Sequence, residues 1–164
     1  MGRTVPPLIG IVVIVLTLAA DAWPADVGNI EPRAPGPGDV CPVCGMVVSL
    51  HAEWVAQIVL DDGSALFFDG SKDLFEYLLA RERFVPDRQG STIRATFVTS
   101  YYDVRAIPAR TAFFVVGSDV LGPMGAELVP HPSRTAAEEF LRDHGGRAIV
   151  RFDEVTRELL ESLE

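Results

Sequence analysis

The feature that most constrains the fold is an internal echo. Leu74, Phe75, Leu78 and Leu79 make an apolar stripe at helical spacing, and Ala136, Ala137, Phe140 and Leu141 repeat it 62 positions later. The surroundings repeat as well. Residues 54–60 read as a strand, Asp61-Asp62-Gly63 as a tight turn, and 64–68 as a returning strand. Ser71 is placed to cap a helix over 72–83, 86–90 breaks the chain, and 93–99 is a third strand. In the second stretch, 111–116 is a strand, 117–125 a long Gly-rich loop, and 127–129 a short return strand. Ser133 or Thr135 caps the second helix, with Thr135 and Glu138 spaced as a capping box, and 148–152 is a closing strand. This order predicts an α+β chain of two tandem ββαβ half-domains, 41–105 and 106–164. Each is small to stand alone, so the two are expected to pack together. The acidic tail from 154 has helical character.

The first 40 residues read differently. An apolar run of 13 residues, 8–20, follows Arg3 and ends at Ala20-Asp21-Ala22, a small-x-small cleavage site. A bilayer-spanning helix wants about 20 residues, so 1–22 is expected to be a signal peptide that exports the chain to a periplasm. No Cys follows the cleavage site, so no lipid anchor is expected; the membrane would be touched only through an uncleaved N-terminal segment. Residues 23–40, rich in Gly and Pro, read as a flexible linker.

That linker leads to Cys41-Pro42-Val43-Cys44-Gly45-Met46, which holds both cysteines and one of three methionines. Three sulfurs in six residues are a soft-ligand site. In an oxidising compartment a Cys pair tends to close into a disulfide unless a metal or a redox role keeps it open. No strand precedes the motif, which is unlike a thioredoxin-type redox site, and Gly45 suits a metal knuckle whose backbone N–H groups turn toward sulfur. Structural zinc takes four ligands, and a second Cys pair is absent from the sequence. Cu(I) accepts two or three soft donors, and Met adds nothing to disulfide chemistry. Met124, between Pro123 and Gly125 in Gly122-Pro123-Met124-Gly125, is the candidate third party, since a Met presented by a Gly-flanked loop buries little. His51 and His131 are possible secondary metal ligands; His144 reads as a helix-ending residue.

Other classes are argued against. The net charge is −9, with a single lysine, which disfavours nucleic-acid binding. Asp61 and Asp62 are explained by turn chemistry, Asp69 could serve as a carboxylate, and no Ser/His/Asp arrangement or phosphate loop stands out. Three readings remain: a Cu(I) carrier, a thiol–disulfide oxidoreductase using Cys41 and Cys44, and a zinc-stabilised interaction module.

Four segments in order resemble the NosL family: Cys41-Pro-Val-Cys-Gly-Met46, Phe67-Phe-Asp-Gly-Ser-Lys-Asp-Leu-Phe75, Val115-Val-Gly-Ser-Asp119 and Gly122-Pro-Met-Gly-Ala-Glu-Leu-Val-Pro130. Members are accessory proteins of nitrous oxide reductase, understood as periplasmic Cu(I) chaperones rather than enzymes. The resemblance spans about 40–153. It implies two ββαβ halves similar to the helper domain of organomercurial lyase. It implies Cu(I) held by Cys41 or Cys44, Met46 and Met124, and handed to nitrous oxide reductase, its maturation complex or another copper protein. Many members carry a lipidated Cys after the signal peptide; this chain departs from that pattern.

Overall fold

The computed structural model describes residues 1–2, 30–84 and 90–163, so residues 3–29, which hold nearly all of the expected signal peptide and the start of the linker, lie outside the described residues. A hairpin begins the sheet structure: β1 (Ala56–Leu60) and β2 (Ala65–Phe68) pair antiparallel around the turn at Gly63, whose φ of 79° only glycine adopts easily. Helix α1 (Ser71–Leu79) follows, with a one-turn α2 (Arg81–Phe84) after a break at Ala80. The single helix expected over 72–83 is therefore two. Its N-cap is Gly70 rather than Ser71, and no side chain of the cap residue makes the capping bond. β3 (Ile93–Ser100) then pairs with β1, and β4 (Arg105–Pro108), not foreseen, extends the sheet to the order β2-β1-β3-β4.

The second sheet starts at β5 (Phe113–Val116). The Gly-rich loop is itself ordered as a small hairpin, β6 (Leu121–Gly122) and β7 (Gly125–Ala126), with Pro123 and Met124 at its tip. β8 (Val129–His131), α3 (Arg134–Asp143) and β9 (Ala148–Arg151) complete a sheet of order β8-β5-β9, and α4 (Arg157–Glu161) ends the fold. Ser133 caps α3 by accepting from the Ala136 N–H at 3.2 Å. Thr135 is inside the helix, and Glu138 pairs with Arg134 one turn back, so the expected Thr135–Glu138 box does not form. In each sheet the first strand is central, the second lies on one side, and the strand after the helix on the other.

The two sheets share one core. Phe75 of α1 stands edge-on to Phe114 of β5 at 5.1 Å and tilts against Phe152 after β9 at 5.1 Å. Where the sheets meet, the Tyr101 N–H donates to the Pro130 carbonyl at 3.0 Å. β1 is buried along its whole length, which a half-buried strand could not be. Gln57 can be inside because its amide pairs twice with the backbone of Arg33, donating and accepting at 2.9 Å. Residues 30–35 thus lie as a strap over the outer face of β1. Phe75→Ala should cost about 3–5 kcal/mol of stability, the range for a buried aromatic that leaves a cavity, read as a lower urea midpoint at unchanged m-value.

Candidate metal centre

The Cys motif closes on itself. Val40 and Val47 form an antiparallel bridge, the Cys41 N–H donates to the Met46 carbonyl at 2.8 Å, and the Gly45 N–H donates to the Cys41 carbonyl at 2.8 Å. Gly45 sits at φ 78°, where a side chain would be strained. The outcome is a knuckle: the N–H groups of Cys44 and Val43 point at the Cys41 sulfur, and that of Met46 at the Cys44 sulfur. Both thiols are free; Cys41 is buried and Cys44 half-buried.

The knuckle faces two carboxylates. Asp69 ends the turn before α1 and Asp73 lies one turn further on, so a spacing of four aims both at the thiols. Cys41 Sγ donates to Asp73 Oδ2 at 3.1 Å, and Cys44 Sγ to Asp69 Oδ1 at 3.2 Å. One ligand atom from each of the four residues fits within 4.8 Å of the others. Both carboxylates are buried, and Asp69 Oδ2 has no hydrogen-bond partner among the described residues.

Such a site is short of positive charge. Burial pushes the Cys41 thiol up to about 12, with the Asp73 charge adding to it against the N–H groups of Cys44 and Val43. Burial also raises the Cys44 thiol above its ordinary range; the Met46 N–H opposes, while Asp73 and Asp69 reinforce. Burial raises the Asp73 carboxyl to about 6, with Asp69 adding and the two thiol hydrogen bonds opposing. Buried carboxylates are ordinarily paired with a cation or bound to a metal. The donor set therefore fits a metal ion: two soft sulfurs, two oxygens and one unsatisfied lone pair.

The hairpin holding Met124 lies at the same end of α1. Lys72 Nζ donates to the Met124 carbonyl at 3.0 Å, and Lys72 precedes Asp73. The Met124 side chain is 46% exposed. Glu127, buried just after the hairpin, accepts from the Lys72 N–H at 2.6 Å and the Leu128 N–H at 2.8 Å. Burial pushes its carboxyl up to about 8, against those two donors and the Lys72 charge.

The histidines stand apart. Neither His51 nor His131 belongs to the four-residue cluster. His51 closes the 3-10 turn at Val48–Leu50. His131 is fully buried among Tyr101, Tyr102 and Phe140, with both ring nitrogens unpartnered among the described residues. His144 does end α3, with Nδ1 3.0 Å from Asp119 Oδ1. Sequence reasoning passed over Asp73 and gave Asp69 no partner. The signal was the four-residue spacing across a helix start, Asp69 to Asp73.

The NosL family model matches residues 32–160. This chain belongs to the NosL family. It is 28% identical over 134 residues to the copper-binding lipoprotein NosL of Stutzerimonas stutzeri, covering 81% of this chain and 70% of that protein. The crystal structure of the copper chaperone NosL from Shewanella denitrificans superposes with a TM-score of 0.63 at 27% identity, covering 78% of this chain and 97% of that one. The solution structure of apo-NosL from Achromobacter cycloclastes gives a TM-score of 0.45 at 29% identity, over 64% of this chain and 87% of that one. The mixed α+β architecture is thus that of the Shewanella denitrificans NosL crystal structure.

His131 carries a pH dependence that separates it from the metal centre. Burial holds its pKa down at about 4 from an ordinary 6.5, helped by the His144 charge. The unfolded chain therefore takes up the proton first. The contribution is nil above pH 6.5 and becomes a loss of stability as pH falls from 6.5 toward 4, reaching about 3 kcal/mol. In urea titrations across that window, His131→Phe should lose this acid-limb decline relative to the parent.

Proposed function

We propose that this chain is a metallochaperone that carries one Cu(I) in the knuckle between Cys41 and Cys44. The observation that carries the reading is the pair of thiols set against two buried carboxylates, one of them with an orphaned oxygen. The names of its relatives, copper-binding lipoprotein and copper chaperone, supply the metal. Two thiols select soft ions, and Cu(I) is content with the two or three donors that Cys41, Cys44 and the methionines Met46 and Met124 offer. Asp73 and Asp69 would then be hydrogen-bond acceptors for the thiols of the free protein rather than ligands, and the displaced protons would leave to solvent.

Carriage is a matter of exchange. Cys44 is half-buried and Met124 46% exposed, so one edge of the site is open to an incoming ligand. A partner's soft side chain can join the ion there before a resident donor leaves. The acceptor in this reading is a copper enzyme of the nitrous oxide reductase type or its maturation machinery. The place of work is outside the cytoplasmic membrane, reached through the 1–22 segment, with the two ββαβ halves forming the folded part. No chemistry on a substrate is part of the role.

Zinc is the second reading, favoured by one observation. With no second Cys pair in the sequence, Asp69 and Asp73 offer the two further donors, which makes four, the number that closed zinc sites use. Protein offered equimolar Cu(I) and Zn²⁺ under anaerobic conditions decides between them. One Cu(I) per chain, displacing zinc, is the outcome for a copper carrier; retention of zinc sinks it.

The thiols make the affinity pH-dependent. Both are protonated in the free protein, so Cu(I) must displace a proton from each ligating sulfur. Apparent affinity should rise by about tenfold per pH unit for each proton displaced, measured by competition against a Cu(I) chelator between pH 6 and 8. Cys41→Ser with Cys44→Ser should abolish binding, and Met124→Ala with Cys44→Ser should do the same.

A further inference from the structure

Helix α1 has no capping side chain of its own. Its cap residue is Gly70, and among the first orphan N–H donors is that of Lys72. Ser, Thr, Asp or Asn at the cap position would ordinarily satisfy that donor. Here it is met by Glu127, 55 residues away, at 2.6 Å. The space is arranged for this intrusion. A Cβ on Gly70 would lie 2.1 Å from Glu127 Oε2, so no side chain can stand there while the carboxylate is in place. A Cβ on Gly122, in the first strand of the Met124 hairpin, would lie 3.0 Å from the same oxygen and 3.2 Å from Cγ. Glu127 is therefore threaded between two glycines, one at the head of α1 and one in the hairpin.

The bonds around it run both ways. Oε1 accepts from Lys72 on α1 and from Leu128 just after the hairpin. Lys72 then reaches back with Nζ to the Met124 carbonyl. Three residues, one on α1 and two across the gap, are locked into a single ring: Glu127 to the Lys72 backbone, the Lys72 side chain to Met124, and the chain from Met124 to Glu127. The next residue on α1 is Asp73, which holds the Cys41 thiol. The hairpin itself adds little core, since Met124 and Leu121 are exposed.

We propose that Glu127 is a positioning residue that sets the Met124 loop in register with the Cys41–Cys44 knuckle, acting as the cap of α1 and, with Lys72, as the latch of the hairpin. The inference rests on the reading of Met124 as a Cu(I) donor. Glu127 does not touch the ion. It fixes where the third sulfur stands, as outer partners of metal ligands do, and such partners are worth about 10–100-fold in affinity.

A double-mutant cycle tests it, with Cu(I) affinity measured by chelator competition and sulfur neighbours counted by X-ray absorption. Glu127→Ala should weaken Cu(I) about tenfold or more and remove one sulfur from the count. Glu127→Gln, whose carbonyl can still accept both N–H bonds, should keep affinity and count near the parent's. In the Met124→Ala background, Glu127→Ala should cost less than about twofold further, because the donor it positions is already gone. Lys72→Met, which cuts the latch but leaves the buried carboxylate on its backbone donors, should follow the same pattern and stands in if Glu127→Ala does not fold. Equal losses with and without Met124 overturn the inference, as does Glu127→Ala at parent affinity. If Met124→Ala alone changes nothing, the donor assignment fails and takes the positioning role with it.

Discussion

The structure depends on what gathers at the amino end of one short helix. Asp69 and Asp73 flank the start of α1, Glu127 closes its first turn from the other sheet, and two thiols press against the carboxylates. Three buried acids stand there with one nearby cation, Lys72. The helix contributes partial positive charge through its free N–H groups, which offsets part of that burial. The remainder is offset by protons held on the thiols and carboxylates, or by a metal ion that takes their place. A site of this kind is electrostatically incomplete by construction, and that incompleteness is what makes it selective for a cation.

The core serves this arrangement by fixing α1 from both sides. One flank lies on β1 and β2, and Phe75 reaches the second sheet through Phe114 and Phe152. The helix is thus shared property of the two sheets rather than an ornament of the first. That sharing explains how Glu127, between the Met124 hairpin and β8, can reach its cap. On the proposed reading the sulfur donors come from both halves of the chain, so packing of the halves and assembly of the site are one event.

Much of this was legible beforehand. The hairpin at Gly63 and the Ser133 cap followed from periodicity and turn chemistry, and Gly45 pointed to a knuckle; of the α1 stripe Leu74 and Phe75 are buried, while Leu79 is exposed and Tyr77 is buried in its place. What could not be read was long-range. Ser71 looked like a cap because the local pattern fits, yet the cap position is Gly70, since Glu127 occupies the space a cap side chain would need. Asp73 on its own carried no local signal in the sequence, and only the folded chain sets it against Cys41. Gln57 and Arg33 gave no hint of their mutual pairing across 24 residues. His131 stood only as a possible secondary ligand by residue type; its burial in an aromatic cluster is a property of the sheet edge and α3.

The single lysine has a practical consequence. Lys72 is 8% exposed, and its ammonium is spent on the Met124 carbonyl. Reagents that acylate amines therefore find no lysine on the outside of the described residues. Any label that does arrive there marks molecules whose hairpin has left its seat, so a routine surface-coupling reaction doubles as a gauge of how often that seat opens.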